Sequence, residues 1–572
     1  MTANNIRNSI LWIAGLFLSS CWLLPNKSDP WRGFHSDFLA AISISILAAL
    51  VLIEGRSKLN IEGLQYLILL LLPIPFVHFY FGMVPFSGVA WISSAYIFAF
   101  FLALLMGGEW GRRNFVQLGD CIFSAVLIAA IISVGLQMQQ WLGTGQDAAL
   151  DVWIFSQASG RPSANMGQPN HLATLLLWAI IAAWWWRWRG FIGPCVLVAV
   201  TFFLSFGLIL TRSRSGILGY GVLIVLLGVW PSLQKTWSSK REARAYALKM
   251  LFAICFSFSM IKVVTDCLAL STMPSLSDRM LSDSRPIVWR MLLRALGESP
   301  WFGFGWGATF SAQLIEAEKY PELNVAFFYS HNLFLDIFLW IGLPLGVAIV
   351  LLLIKWLLKM LRNAESPFQA MGISMALVIG IHAMVEYPLY YAYFLLPLGI
   401  VMGAVNSMTL KNEAVSYAIK IERKFVVVAL AIGVGWLFFI AKDYLRVEEM
   451  NLSLQLEDSG IRKIGSSELP DVRMLNQFRE LYDFRKFKPR EGMSPENIRR
   501  AEEILKLSPS PRNFFVLAQI YALNKKATAA KSVLLKMCKI IPKDQCEIAS
   551  KKWEVLQQAN PLLKNIDWSV SK

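Results

Sequence analysis

From residue 8 to residue 441 one apolar stretch follows another, each about 17 to 25 residues long, and this recurrence leaves few architectures open. A helix of that length crosses a hydrocarbon core of roughly 30 Å, where each backbone amide and carbonyl has to be satisfied within its own segment. The stretches lie near 8–25, 37–53, 62–81, 89–107, 116–137, 169–186, 190–210, 213–230, 247–264, 331–354, 367–384, 388–406 and 424–441, about thirteen in all. The expected fold is therefore all-α, a polytopic integral membrane protein. A hydrophobic share of 56% against 16% charged residues agrees, being far from the balance of soluble domains. The first stretch runs on into further spans and lacks a small-residue cleavage site, so it is expected to be retained.

Lysine and arginine crowd alternate connections: Arg56 and Lys58; Arg112 and Arg113; Arg187 and Arg189; Lys235, Lys240, Arg241 and Arg244; Lys355, Lys359 and Arg362; Lys420, Arg423 and Lys424. By the positive-inside rule these are cytoplasmic. The N terminus then lies inside, whereas 138–168, 211–215, 265–330 and the tail after 442 lie outside. Much of the net charge of +16 sits in the inside connections, so it reads as a topology signal rather than as nucleic-acid binding. The basic tail suits anionic lipid headgroups or an acidic partner. Cys21, Cys121, Cys195 and Cys255 fall in spans, where a thiol behaves as a small hydrophobe. Cys538 and Cys546 lie close together in a segment assigned to an oxidising compartment; the sequence leaves their pairing open.

Five regions are expected: N-terminal spanning helices (1–150), further spanning helices (151–264), a large outside loop (265–330), the last spanning helices (331–441) and an extramembrane helical domain (442–572). Loops as long as 138–168 and 265–330 among compact helices are more often functional than idle. Within the second, Glu298 to Gly307 alternates glycine with aromatics, which suits a tight turn or a surface-lying segment with its rings at headgroup level. In the tail, apolar spacing predicts helices from Ser494 and from Asn513, and two more near 527–540 and 545–558. These would make either a pair of hairpins of tetratricopeptide type or a small helical bundle.

Four polar clusters fall on the outer face in this topology. Arg161, Asn165, Gln168, Asn170, His171 and Thr174 close an outside loop and enter a span; their amides and imidazole either serve a ligand or cap one another, with Asn170 as the helix cap. Thr211-Arg212-Ser213-Arg214-Ser215-Gly216 fills a tight connection. Guanidinium forks match phosphate oxygens, so Arg212 and Arg214 either clamp a lipid-linked phosphate or snorkel to ordinary headgroups. In the large loop come Asp278-Arg279, Asp283-Ser284-Arg285, Arg290 and Arg294, of which Arg285 and Arg290 are expected to face a ligand and Arg279 and Arg294 to be solvated. The fourth cluster is His331-Asn332 with Asp336, ahead of Gly342 and Pro344. Imidazole is the side chain that exchanges protons near neutral pH, which makes His331 a base candidate, with helix capping or packing as its alternative. Asp336, five residues on, is off the helical face that could orient it. Further along, Glu386 sits at the outer rim among Tyr387, Tyr390, Tyr391 and Tyr393, where an interfacial aromatic belt explains most of the tyrosines. Walker, dinucleotide, HExxH and paired CxxC motifs are absent from the sequence, so no metal or soluble cofactor is expected.

The block His331-Asn332-Leu333-Phe334-Leu335, with ten residues between His331 and Gly342, resembles the signature of the bacterial O-antigen ligase and polymerase superfamily. Ser213-Arg214-Ser215-Gly216 and Ser284-Arg285 resemble its arginine motifs. Gly167-Gln168-Pro169-Asn170-His171-Leu172-Ala173 and Glu386-Tyr387-Pro388-Leu389 are similar to segments of O-linked protein oligosaccharyltransferases, and the Gln-Pro-Asn-His block most separates that branch from ligases acting on lipopolysaccharide. The resemblance covers residues 150 to 405 by motif and the whole chain by architecture.

What the resemblance implies is transfer of a preassembled glycan, without metal, cofactor or nucleotide, from undecaprenyl pyrophosphate to a serine or threonine of a pilin or other exported protein. The expected location is a bacterial inner membrane with the reaction at its periplasmic face. In that scheme His331 is the general base, and Arg214 and Arg285 neutralise the departing pyrophosphate, with Arg212 and Arg290 as secondary candidates. Gln168, Asn170, His171, Asn332, Glu386 and Tyr393 bind or position donor or acceptor. Two rivals stay open: an O-antigen ligase or polymerase using the same donor on lipid A core or glycan, and a lipid-linked glycan transporter. Transporters favour midplane ionisable residues and repeated halves, neither of which this chain displays.

Overall fold

A computed structural model describes residues 3–25, 29–53, 57–143, 152–154, 160–268, 270, 283–410, 419–461, 471–564, 566 and 568. Arg56, Asp278 and Arg279 lie outside the described residues. Among these, six helices are long and apolar enough to cross a bilayer: Phe34–Ile53, Ser87–Leu142, Lys240–Cys267, Leu343–Asn363, Ala392–Thr409 and Arg423–Asp458. Five shorter apolar helices accompany them. The protein is a helical, multi-pass membrane protein.

Several expected spans take a different form, each for a local reason. The 62–81 stretch is two short helices, Leu64–Leu71 and Ile74–Tyr80, because Pro73 has no amide with which to continue the first. The stretches at 89–107 and 116–137 belong to the 56-residue Ser87–Leu142 helix, which turns at Asn114 (φ −154°, ψ 77°). The 331–354 stretch breaks at Gly342 into Leu333–Ile341 and Leu343–Asn363. The all-helical expectation also missed a ribbon, Lys58–Ile61 antiparallel to Ile419–Glu422, with Lys58 opposite Glu422 and Ile61 opposite Ile419.

The chain forms two compact units. The first comprises Met1–Leu72, Ala95–Ser282 and Leu351–Ala441. At its centre lies Pro169–Trp188, buried from Pro169 through Trp185. Its indoles bring their own polar atoms into this interior, and each finds a partner as burial requires: Trp178 Nε1 donates to the Met375 carbonyl (3.1 Å), Trp184 to Tyr246 Oη (3.3 Å) and Trp185 to Asp120 Oδ1 (2.8 Å). Elsewhere in this unit Gly107 and Gly111 lie against Ile400 and Ala404, and Gly399 and Gly403 against Ala103 and Leu104, the small-xxx-small pattern that lets backbones touch. A Cβ at Gly107 would stand 2.0 Å from the Ile400 carbonyl oxygen, and one at Gly403 2.0 Å from that of Leu104.

The second unit comprises Pro73–Ser94, Asp283–Val350 and Lys442–Lys572. Its tail carries Pro495–Leu507, Pro511–Leu523, Ala527–Ile540 and Lys543–Ala559 in succession, the first two capped by the hydroxyls of Ser494 and Ser510. Cys538 and Cys546 form a disulfide across the last turn (Cα–Cα 5.2 Å). One apolar core takes in Ile504, Phe514, Leu517, Leu534, Met537 and Trp553 from the tail together with Phe310 and Ala317 from the large loop. The Leu323 and Asn324 amides add hydrogen bonds to the Lys539 carbonyl, so the loop segment that leads to His331 is fastened to the tail by packing and by backbone.

Candidate active site

The sequence candidates divide between the two units. In the first, Gln168 rather than Asn170 is the cap of Pro169–Trp188: its side chain accepts from the Asn170 amide (2.7 Å), and Pro169 occupies the first helical position, where a missing N–H costs nothing. The cap is Gln168, so the Asn170 side chain is released for other work. Its Nδ2 donates to Glu386 Oε1 (3.1 Å), and its Oδ1 accepts from Arg161 Nη2 (3.1 Å). Arg161 also donates through Nε to the Thr211 carbonyl (2.9 Å). Asn170 and Glu386 are each 8% exposed and Arg161 9%. A buried guanidinium and carboxylate bridged by one amide thus tie together the entry of Pro169–Trp188, the 211–216 connection and the segment after His382, each charge having hydrogen-bonding company. Sequence reasoning placed Arg161 in this cluster but gave it no role of its own.

His171 and Tyr393 are brought together in the interior, Nδ1 to Oη at 3.0 Å. Tyr391 lies edge-on to the imidazole at 4.7 Å. The backbone amides of Ala392 and Tyr393, at the exposed-donor end of Ala392–Thr409, are taken by buried Asp37. His382 pairs with Thr174 (2.7 Å).

Hydroxyls order the arginine turn. The Ser213 amide donates to Thr211 Oγ1 (3.1 Å), and Ser213 Oγ caps Arg214–Val229 by accepting from Gly216 N (3.1 Å). Arg212 is left-handed (φ 50°), with its guanidinium over the Phe258 ring at 5.4 Å. Burial pulls its pKa down, though arginine stays charged at any accessible pH. Arg214 opens its helix, adding a half-buried fixed cation to the positive end of the helix dipole. That turn brings two guanidiniums to the N-terminus of one helix.

In the second unit Arg285 opens Arg285–Leu296, with its amide on Asp283 Oδ1 (3.2 Å) and its guanidinium 3.6 Å from Oδ2. Arg290 is exposed. Arg294 is exposed, as expected, and its Nε also lies 3.4 Å from the buried Glu316 carboxylate. Asn332 caps Leu333–Ile341, its Oδ1 accepting from Phe334 N and Leu335 N at 3.1 Å each. The capping task thus falls to Asn332, and His331 precedes the helix, half-buried and left-handed (φ 57°), with its ring edge-on to Phe327 at 6.0 Å.

Around that histidine runs a polar chain that sequence reasoning missed. Asp336 Oδ1 accepts from the Ser330 amide (2.8 Å) and from Thr309 Oγ1 (3.0 Å). Thr309 in turn accepts from Trp340 Nε1 (2.9 Å), and Trp289 Nε1 donates to the Ser330 carbonyl (2.8 Å). Asp336 was set aside because residues five apart on a helix diverge, but His331 is not on the helix. At the far end of Leu333–Ile341 the glycine-aromatic segment closes a backbone clasp: Leu343 N to Pro300 O (2.7 Å), Phe304 N to Leu339 O (2.6 Å) and Gly305 N to Trp340 O (3.2 Å).

Comparison with known proteins meets these same segments. A model of protein glycosylation ligases matches residues 162–187, one of O-antigen ligases matches 197–351, and one of the C-terminal part of virulence factor membrane-bound polymerases matches 370–555. A general O-oligosaccharyltransferase of Acinetobacter baylyi is 25% identical over 571 residues, 97% of this chain and 95% of its own length. A ComP-specific O-oligosaccharyltransferase of the same organism is 26% identical over 437 residues, covering 76% of this chain and 77% of its own. With similarity over nearly the whole length and successive ligase segments within it, the chain is similar to bacterial O-linked oligosaccharyltransferases and O-antigen ligases, and is a glycosyltransferase.

Proposed function

We propose that the protein transfers a preassembled oligosaccharide from undecaprenyl pyrophosphate to a serine or threonine hydroxyl of a pilin or other exported protein, at the periplasmic face of the inner membrane. The observation that carries this reading is His331, an imidazole held at positive φ just ahead of a helix cap, on the unit where Arg285 opens a helix. In the reaction the acceptor oxygen attacks the anomeric carbon and its proton passes to the His331 imidazole. The bond from that carbon to the phosphate oxygen breaks, and its electron pair leaves with the pyrophosphate. Arg285 and Arg214 take up the charge that grows there, with Arg212 and Arg290 in support. Attack opposite the leaving group inverts the anomeric centre, and NMR of the product linkage reads this directly.

Asn170 and Glu386 keep the arginine turn in register, and Gln168 holds the helix entry, which assigns them to donor positioning. His171 and Tyr393 support that entry from within, and Asn332 fixes the helix behind His331. The tail, sharing its core with the loop that leads to His331, is assigned to acceptor recruitment. The disulfide in that tail supports an oxidising, outside location, with the N terminus in the cytoplasm. A protein acceptor is favoured over lipid A core by the glycosylation-ligase match at 162–187 and by the names of both relatives. The test offers purified enzyme and lipid-linked glycan an exported protein and lipid A core in parallel. Modification of the protein supports the reading, and modification of the core alone overturns it.

A further inference from the structure

Left-handed backbone at a residue with a Cβ costs roughly 1–2 kcal/mol and persists only where the surroundings over-determine it. His331 meets that condition through groups on three other elements. The peptide before it is gripped on both sides. The Ser330 amide is held by Asp336 at 2.8 Å and the Ser330 carbonyl by the Trp289 indole at 2.8 Å. Ser330 is fully buried, and its own hydroxyl bridges the next residue, donating to the Asn332 carbonyl (2.8 Å) and accepting from the Asn332 amide (3.1 Å). Asp336 is itself kept in place by Thr309, and Thr309 by Trp340. Trp289 stands one turn after Arg285 on the same helix face, so the indole that fixes the histidine loop also fixes the helix that starts with the arginine.

We propose that Asp336 and Trp289 are positioning residues for the glycosyl transfer: they lock the Ser330–Asn332 backbone so that the His331 imidazole and the Arg285 guanidinium keep one spacing. This rests on the assignment of His331 as the base. Neither residue touches the acceptor or the sugar; each acts through the backbone it holds. A shift of about 1 Å in a reacting group can cost on the order of a hundredfold in rate, while donor binding through the lipid is untouched. The effect therefore falls on kcat and spares KM.

The experiment measures transfer kinetics and thermal unfolding for the full-length enzyme in detergent with Trp289→Phe, Asp336→Ala, Asp336→Asn and His331→Ala. Trp289→Phe keeps an aromatic ring and loses the N–H donor with part of the indole volume; Asp336→Asn keeps an acceptor oxygen for Ser330. The expected result is a kcat lowered about 10- to 100-fold in Trp289→Phe and Asp336→Ala, an unchanged KM for the lipid-linked donor, and a kcat in Asp336→Asn within about threefold of wild type. Wild-type kcat in Trp289→Phe overturns the proposal, as does a loss in Asp336→Asn equal to that in Asp336→Ala. Should Asp336→Ala fail to fold, Trp289→Phe decides alone. Activity in His331→Ala would instead remove the base assignment itself, so the two failures are told apart.

Discussion

Replacing Gly342 by alanine should unlock the clasp at the C-terminal end of the Leu333–Ile341 helix, and the size of the effect follows from geometry. Gly342 has φ 81° and ψ 170°, a region that costs a residue with a Cβ about 1–3 kcal/mol. The new Cβ would stand 2.2 Å from the Trp301 carbonyl oxygen and 2.7 Å from the Phe302 nitrogen, both backbone atoms that no rotamer change can move. Relief requires the 301–302 turn to retreat, which breaks the 2.7 Å bond from Leu343 N to the Pro300 carbonyl and loses about 1 kcal/mol more. The total is about 2–4 kcal/mol. For a unit of roughly 220 residues, that lowers the midpoint of thermal unfolding by about 5–15 °C. Gly221→Ala is the control, since Gly221 lies within the Arg214–Val229 helix with open space around its Cβ and should be neutral or slightly stabilising. Unfolding is followed by intrinsic fluorescence in detergent. Coincident melts for Gly342→Ala and wild type would refute the clasp, and so would an equal loss in the control.

Arg285→Lys and Arg214→Lys should each lower donor turnover about tenfold or more although charge is kept, because a point charge replaces a two-pronged donor; unchanged turnover in both would remove the anion clamp. Asn170→Ala leaves Arg161 and Glu386 without their shared amide and should destabilise the first unit by about 1–3 kcal/mol, read as a lower unfolding midpoint. Converting Cys538 and Cys546 to serine together opens a loop with a sequence separation of 8 and should cost about 2–3 kcal/mol in tail stability, measured by limited proteolysis.

Helix positions were legible because apolar runs and caps are local signals: the 527–540 helix is where its spacing put it, and Ser494 opens the helix expected there. Some misreadings were avoidable. Proline at 169 already implied that residue 168 caps the helix, and an Asn at 332 ahead of an apolar run already implied that His331 lies outside it. Others were not. Nothing local reveals that Arg161 reaches the Thr211 carbonyl, that a 58–61 strand finds its partner at 419–422, or that Trp289 donates to Ser330 across 41 residues. The residue types that suit glycan transfer could be read from the chain. The polar chain that sets the His331 backbone is long-range and had to be seen.

The account turns on His331 as the group that takes the acceptor proton. The most direct measurement is the intact mass of an exported acceptor protein after incubation with lipid-linked oligosaccharide and either the wild-type enzyme or His331→Ala, both verified as folded. The account predicts a single added glycan mass with the wild type and none with the variant. The same adduct at the same rate from His331→Ala would contradict it.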